Sequence, residues 1–149
     1  MSIERVSQDE RVMAGLAHGS ILLGFFTNGI GGIGASLLIW LTQKEKSVYV
    51  ARQALQALIY QVATFVLAFV IWGCLGVLFM MMLFPPIMAN PEAYASTPPP
   101  GMWVGMTLMI FPLITMALTV VYGLWGAVRT FNGHDFKYAM VGNWLDNRV

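Results

Sequence analysis

Hydrophobic positions run almost unbroken along this chain. Between Arg52 and Arg129 lie 76 consecutive residues with one charged side chain, Glu92, and a second run, Val12 to Gln43, holds no Asp, Glu, Lys or Arg. A water-soluble domain spreads charge over its whole surface, so the pattern is written for lipid. Gln53 to Phe84 and Met102 to Phe131 would each be roughly 45 Å long as helices, against about 30 Å of hydrocarbon. Pro85-Pro86 is expected to end the first, because proline cannot extend a helix comfortably. Residues 85–101, PPIMANPEAYASTPPPG, hold six of the seven prolines and read as a semi-rigid external loop with polyproline character. Pro112 predicts a kink in the second span.

The stretch 12–42 reads differently. Asn28-Gly29-Ile30-Gly31-Gly32-Ile33-Gly34 interrupts it, and glycine weakens a helix by up to about 1 kcal/mol per residue relative to alanine. The part after the glycines is too short to cross alone. Two helices meeting at a glycine turn, as a hairpin, satisfy both facts. The expected fold class is all-α: an integral membrane helical bundle of four helices, the first two forming that hairpin. Its parts are an N-tail (1–11), the transmembrane domain (12–131) and a tail (132–149). In the tail Phe136, Tyr138, Met140, Val141, Trp144 and Leu145 are expected to form a short amphipathic helix on the cytoplasmic surface.

Charge placement sets the expected topology. Arg5 and Arg11, then Lys44, Lys46 and Arg52, then Arg129, Lys137 and Arg148 form three basic segments, and the proline loop has no basic residue. Basic segments stay in the cytoplasm, so 12–42 should enter and return, 53–84 cross outward, and 102–131 come back. This places a multi-pass protein in the cell (cytoplasmic/inner) membrane with both termini cytoplasmic. Trp40, Trp103 and Trp144 fall near expected interfaces, and Trp72 and Trp125 are expected to pack inside the bundle. The opening residues mix Glu4, Asp9 and Glu10 with Arg5 and Arg11 and do not read as a cleavable leader. Composition agrees, with 58% hydrophobic residues, 10% charged and mean hydropathy +0.69. The single cysteine, Cys74, excludes an internal disulfide and a cysteine metal cluster and is expected to pack inside a helix.

Few residues carry candidate chemistry. Gly29 to Gly34 matches G-x-G-x-x-G literally, but the strand and the downstream acidic residue of a dinucleotide fingerprint are missing. Gly31, Gly32, Gly123 and Gly126 read instead as helix-packing positions. His18 is the one ionisable side chain of the first apolar run. It reads as a neutral imidazole bonded to a polar neighbour, with proton transfer or axial ligation of a tetrapyrrole as the functional alternatives. Tyr49, Gln53, Gln56 and Tyr60 recur at i, i+4, i+7 and i+11, one stripe at 100° per residue, with Gln61 a quarter turn away. The stripe reads as glue facing His18, Asn28 or the tail, or else as the lining of a pathway or headgroup site. Two distant histidines and one cysteine make no metal site. No nucleophile–base set appears, so an enzyme is not expected.

Four passages carry a resemblance: Glu4-Arg5 with Met13-Ala14-Gly15-Leu16-Ala17-His18; Leu38-Ile39-Trp40-Leu41 with Lys44-Glu45-Lys46-Ser47; YVARQALQALIYQ from Tyr49 to Gln61; and GHDFKY from Gly133 to Tyr138. Through them the chain resembles a family of small bacterial and archaeal membrane proteins of unknown function. That family is distantly similar to the small four-helix, channel-like subunit of the chloroplast inner-envelope translocon, the Tic complex. Two positions depart from its pattern: Ala139 stands where proline is usual, and the long helix start lacks the His and Asn often seen there. The resemblance implies a four-helix membrane domain with cytoplasmic termini and hands over no activity.

The function expected from these observations is a non-catalytic accessory or scaffold subunit of a larger membrane complex. The alternative is a translocation or channel component with the Gln/Tyr stripe along its path. Expected partners are membrane lipid and other integral membrane proteins, with no nucleic acid. The cofactor is left open by the sequence: none beyond lipid, or pigment contact if the chain sits in a pigment–protein complex.

Overall fold

A computed structural model describes residues 6–139, 141 and 142. Six helical segments follow one another: α1 (Gln8–Gly19), α2 (Ile21–Phe26), α3 (Ile30–Gln43), α4 (Val48–Ala89), α5 (Pro100–Leu108) and α6 (Ile110–Phe131). Single residues, Ser20 and Met109, separate α1 from α2 and α5 from α6. The segments therefore make four helical runs, and no strand occurs among the described residues. Two of the runs, Val48–Ala89 and Pro100–Phe131, are long and apolar enough to cross a membrane. The chain divides into two compact units: residues 1–65 with 119–149, and Val66–Leu118.

In the first unit the N-terminus of α1 is fixed by its own sequence. The Ser7 hydroxyl accepts from the Glu10 amide, and the Ser7 amide donates back to the Glu10 carboxylate (2.8 Å), closing a capping box. Ser47, next to the start of α4, donates to the other Glu10 oxygen at 2.6 Å. That bond first, and the Ser7 bonds after it, hold the Glu10 carboxyl below its ordinary value. A group depressed in this way stabilises the folded state above its unfolded pKa and ceases to as pH falls through the lower folded value. Acid should therefore loosen the α1 start. Ser7→Ala should cost about 1 kcal/mol, read as a lower unfolding midpoint in detergent at neutral pH. In strong acid, where Glu10 is protonated, the difference from the parent should shrink.

The turn between α2 and α3 is smaller than the glycine pattern predicts. Asn28 (φ 51°) and Gly29 (φ 93°) take the left-handed conformation, and the Gly29 amide closes onto the Gly24 carbonyl at 2.6 Å. This is a Schellman-type helix end with asparagine at the position glycine usually holds. Gly31, Gly32 and Gly34 are not part of the turn but lie within α3. Gly32 lets α3 approach α2: a Cβ there would stand 2.8 Å from the Ser20 carbonyl and 3.1 Å from the Gly24 amide. Gly31, in the first turn of α3, donates its amide to the Thr27 hydroxyl at 2.8 Å.

Two further expectations are corrected. Pro85-Pro86 does not end α4, which runs on to Ala89; consecutive prolines remove donors but leave earlier carbonyls free to receive later amides, and the Asn90 amide still reaches the Pro86 carbonyl at 3.1 Å. The loop is thus 90–99, mostly turns, with polyproline geometry at Pro99 (φ −61°, ψ 144°), and Pro100 begins α5, the helical position proline tolerates best. The break in the last run lies at Met109. Pro112 has no N–H for the Leu108 carbonyl, so the ladder opens one turn before the proline.

In the second unit α4 and α5 meet where Gly101 faces the Met82 backbone and Gly105 faces the Phe79 ring. Trp72 (37% exposed) and Trp125 (57%) lie on the outer surface rather than inside a bundle, and Cys74 is exposed as well. Trp40 carries the Lys44 ammonium 5.8 Å above its ring, a pairing suited to a membrane interface.

Candidate functional site

The first unit is built inside out. Val12, Leu16, Leu23, Phe26, Ile30 and Leu38 are exposed, while His18, Ser36, Gln53, Gln56 and Thr130 are 0% exposed. Among the described residues Ala17, Ala54 and Ala57 form a buried apolar cluster flanked by Ile39 and Trp40, with Ala14, Ile21, Val50, Ala127, Phe136 and Tyr138 buried elsewhere in the unit. Alanines let α1 and α4 approach closely, and polar side chains fill what remains. Buried polar groups persist only where they are paired, so the pairing defines the site.

The tail completes it. α6 ends in a Schellman motif around Gly133 (φ 76°): the Gly133 amide donates to the Thr130 carbonyl at 2.9 Å, and the His134 amide to the Arg129 carbonyl at 3.0 Å. The reversal sends 134–138 back in non-helical conformation, and Phe136 and Tyr138 are buried. The expected amphipathic surface helix is therefore corrected for these residues. The Gly133 turn reverses the chain and the two aromatic rings enter the unit, so they cannot lie on a surface. Met140, Trp144 and Leu145 lie outside the described residues.

His18 is the hub. Its Nε2 meets Gln53 Oε1 at 2.9 Å, and its Nδ1 meets the Tyr138 hydroxyl at 3.0 Å. Gln53 Nε2 in turn donates to Asp135 Oδ1, and Arg52 lies 3.9 Å from the other Asp135 oxygen. A carboxylate only accepts, which orients the Gln53 amide with its oxygen toward His18. That oxygen requires a proton on Nε2, so the neutral ring must accept at Nδ1. Burial, with Tyr60 and Tyr122 beside it, pushes the Tyr138 phenol above its ordinary pKa, and the phenol stays a donor. The bonds thus point one way, from Tyr138 through His18 and Gln53 to Asp135.

Aromatic packing surrounds the hub. Tyr138 stacks on Tyr60 at 4.0 Å and 6°, Tyr122 meets Tyr138 edge-on at 5.3 Å, and Phe136 meets His18 edge-on at 5.5 Å. Gly126 leaves the space for this: a Cβ would stand 2.8 Å from the Phe136 ring and 3.2 Å from His18 Nδ1. Gly123 does the same for Ile21.

The stripe residues read from the sequence meet as follows. Gln53 binds His18; Gln56 Oε1 accepts from the Tyr138 amide at 3.4 Å; Gln61 donates to the Ser20 hydroxyl at 3.0 Å; Tyr60 stacks on Tyr138 and donates to the Thr119 carbonyl at 3.0 Å; Tyr49 reaches the His134 carbonyl at 3.4 Å. Gln53, Gln56 and Tyr49 thus meet His18 and the tail, Tyr60 meets the tail and Thr119, and Gln61 meets Ser20; among the described residues none of these bonds reaches Asn28. Both His18 nitrogens are engaged, leaving neither for a tetrapyrrole metal. No group of three His, Cys, Asp or Glu able to hold a metal ion occurs among the described residues.

Sequence reasoning missed Ser20, Tyr122, Asp135 and Tyr138 as site residues. Asp135 and Tyr138 were within reach, since both belong to the quoted GHDFKY passage and follow a glycine placed to end a helix. Tyr122 had no local signal.

The family described as the magnetosome magnetite crystal formation protein family matches residues 9–145. No curated protein and no solved structure matches the chain. The expectation of a family of small membrane proteins is met in this form, while nothing in the comparisons points toward the Tic subunit.

Proposed function

Because the chain belongs to the magnetosome magnetite crystal formation family, we propose that it is a non-catalytic membrane accessory protein acting where magnetite crystals form. In this reading it is a multi-pass scaffold in the cell membrane, with cytoplasmic termini, working through contacts with other integral membrane proteins. The observation that carries the reading is the inverted build of the first unit. Several of its polar side chains are buried against one another and the tail, and many of its large apolar side chains face outward, Ile21, Val50, Phe136 and Tyr138 being buried. Such a surface suits lipid and neighbouring helices.

Bare backbone in the second unit supports the partner contacts. At Gly73 and Gly76 an added Cβ would meet nothing within 4 Å. Both line a shallow apolar concavity of about 560 Å³ with Trp72, Val77, Met81 and Phe84. Small residues on a membrane helix are where another helix can approach closely.

Two measurements on a magnetosome-forming host test the proposal: crystal dimensions by electron microscopy after deletion of the gene, and mass spectrometry of what accompanies the tagged protein in mild detergent. The expected results are smaller or misshapen crystals and stoichiometric membrane-protein partners. Unchanged crystals, or co-purification of lipid alone, would sink the scaffold reading.

A further inference from the structure

The tail segment is held by bonds whose direction depends on one proton. His18 sits at 0% exposure with Nε2 donating to Gln53 and Nδ1 accepting from Tyr138. The groups facing the ring are the Tyr138 phenol and Phe136 from the tail, the Gln53 amide from α4 and the bare Gly126 from α6. The carboxylate of Asp135 and the guanidinium of Arg52 stand one and two links away, beyond Gln53. Tyr60 and Tyr122 lie behind Tyr138.

We propose that residues 134–139 form an acid-released strap, with the His18–Tyr138 bond as its clasp. A second proton on the imidazole turns Nδ1 into a donor that meets the Tyr138 hydroxyl donor to donor. The hydroxyl must then turn and leave its own proton without an acceptor. The ring also becomes a cation in a desolvated site, with an amide rather than a carboxylate as its nearest polar partner on α4. Undocking of the strap opens the ring to water and relieves both costs. The undocked state therefore binds the extra proton more readily, and by linkage acid favours undocking.

The grip is poised for this. Gln56 Nε2 is buried and has no hydrogen-bond partner among the described residues. The amide that receives the Tyr138 backbone N–H thus holds the strap at the cost of an unpaired donor. Gly133, in its left-handed conformation, is the point about which the strap would swing.

Hydrogen exchange of the full-length protein in lipid nanodiscs, followed by mass spectrometry from about pH 8 to pH 5, tests the proposal, with residues 66–82 of α4 as the internal reference. After correction for intrinsic exchange, strap protection relative to the reference should fall by about tenfold per pH unit below about 6.5, the ordinary histidine range. His18→Gln, whose amide can donate and accept without titrating, should flatten that dependence. If this variant does not fold, Tyr138→Phe serves instead. It keeps the stack on Tyr60, removes the clasp, and should lower strap protection already at about pH 8 and shrink its further loss in acid. A native strap whose relative protection is flat across the range, an acid limb that survives in His18→Gln, or an acid loss undiminished in Tyr138→Phe would each overturn the clasp.

Discussion

Gln53→Leu should be among the most damaging single substitutions in the first unit, costing about 2–3 kcal/mol. The leucine is similar in volume, so the cost is not a cavity but the polar groups it strands. His18 Nε2–H loses its acceptor in a site with 0% exposure, and an unsatisfied buried group costs about 1–3 kcal/mol. Asp135 loses the amide donor, but it is partly exposed and still near Arg52, so water replaces much of that bond. Losing the bond that fixes the His18 tautomer weakens the hold on Tyr138 as well. In thermal unfolding in detergent this should read as a fall in Tm of roughly 5–10 °C, accompanied by earlier protease cleavage in the tail. Gln61→Leu makes the comparison, because Gln61 serves Ser20 and not the tail. It should lower Tm without exposing the tail first. Equal loss of tail protection in both variants would show that the hub does not act through Gln53.

The bonds to Gln53 mark how far the sequence could be read. The stripe from Tyr49 to Gln61 was legible because helical periodicity puts those residues on one side of any helix they form. His18 was legible as its partner because a lone ionisable residue in an apolar run must find a polar group. Neither argument reaches Tyr138. Nothing local marks a pair separated by 120 positions, and the amphipathic look of the tail pointed to a surface. The reversal at Gly133 decides the matter, and its significance lies in where α6 aims it. Pro85-Pro86 misled in the opposite direction. Proline forbids an amide bond backward along the helix but not the carbonyl bonds forward, so α4 continues. Trp72 and Trp125 were assigned inward because they lie away from the expected interfaces, whereas in a chain bearing apolar side chains on its surface the large aromatics are free to face outward.

The α3 glycines give the second large effect, in which chemically identical changes should have opposite signs. Gly32→Ala should destabilise by about 2 kcal/mol, within the range for overpacking. Its new methyl would sit 2.8 Å from the Ser20 carbonyl and 3.1 Å from the Gly24 amide, and would run into the Gln61 amide oxygen. The first two are backbone atoms of the α1–α2 run, which can yield only if the run moves away from α3. That movement would also break the Ser20 hydroxyl bond to the Gly32 carbonyl (3.1 Å) and disturb the Gln61 bond to Ser20. Gly34→Ala, two residues on in the same helix, meets nothing within 4 Å. It should stabilise by about 0.5–1 kcal/mol, because alanine loses less backbone freedom than glycine on entering a helix. Paired unfolding midpoints in one detergent check both signs at once. A turn spread over all four glycines would predict damage at both positions. A loss at 32 with a gain at 34 is the result that a helix packed on one face requires.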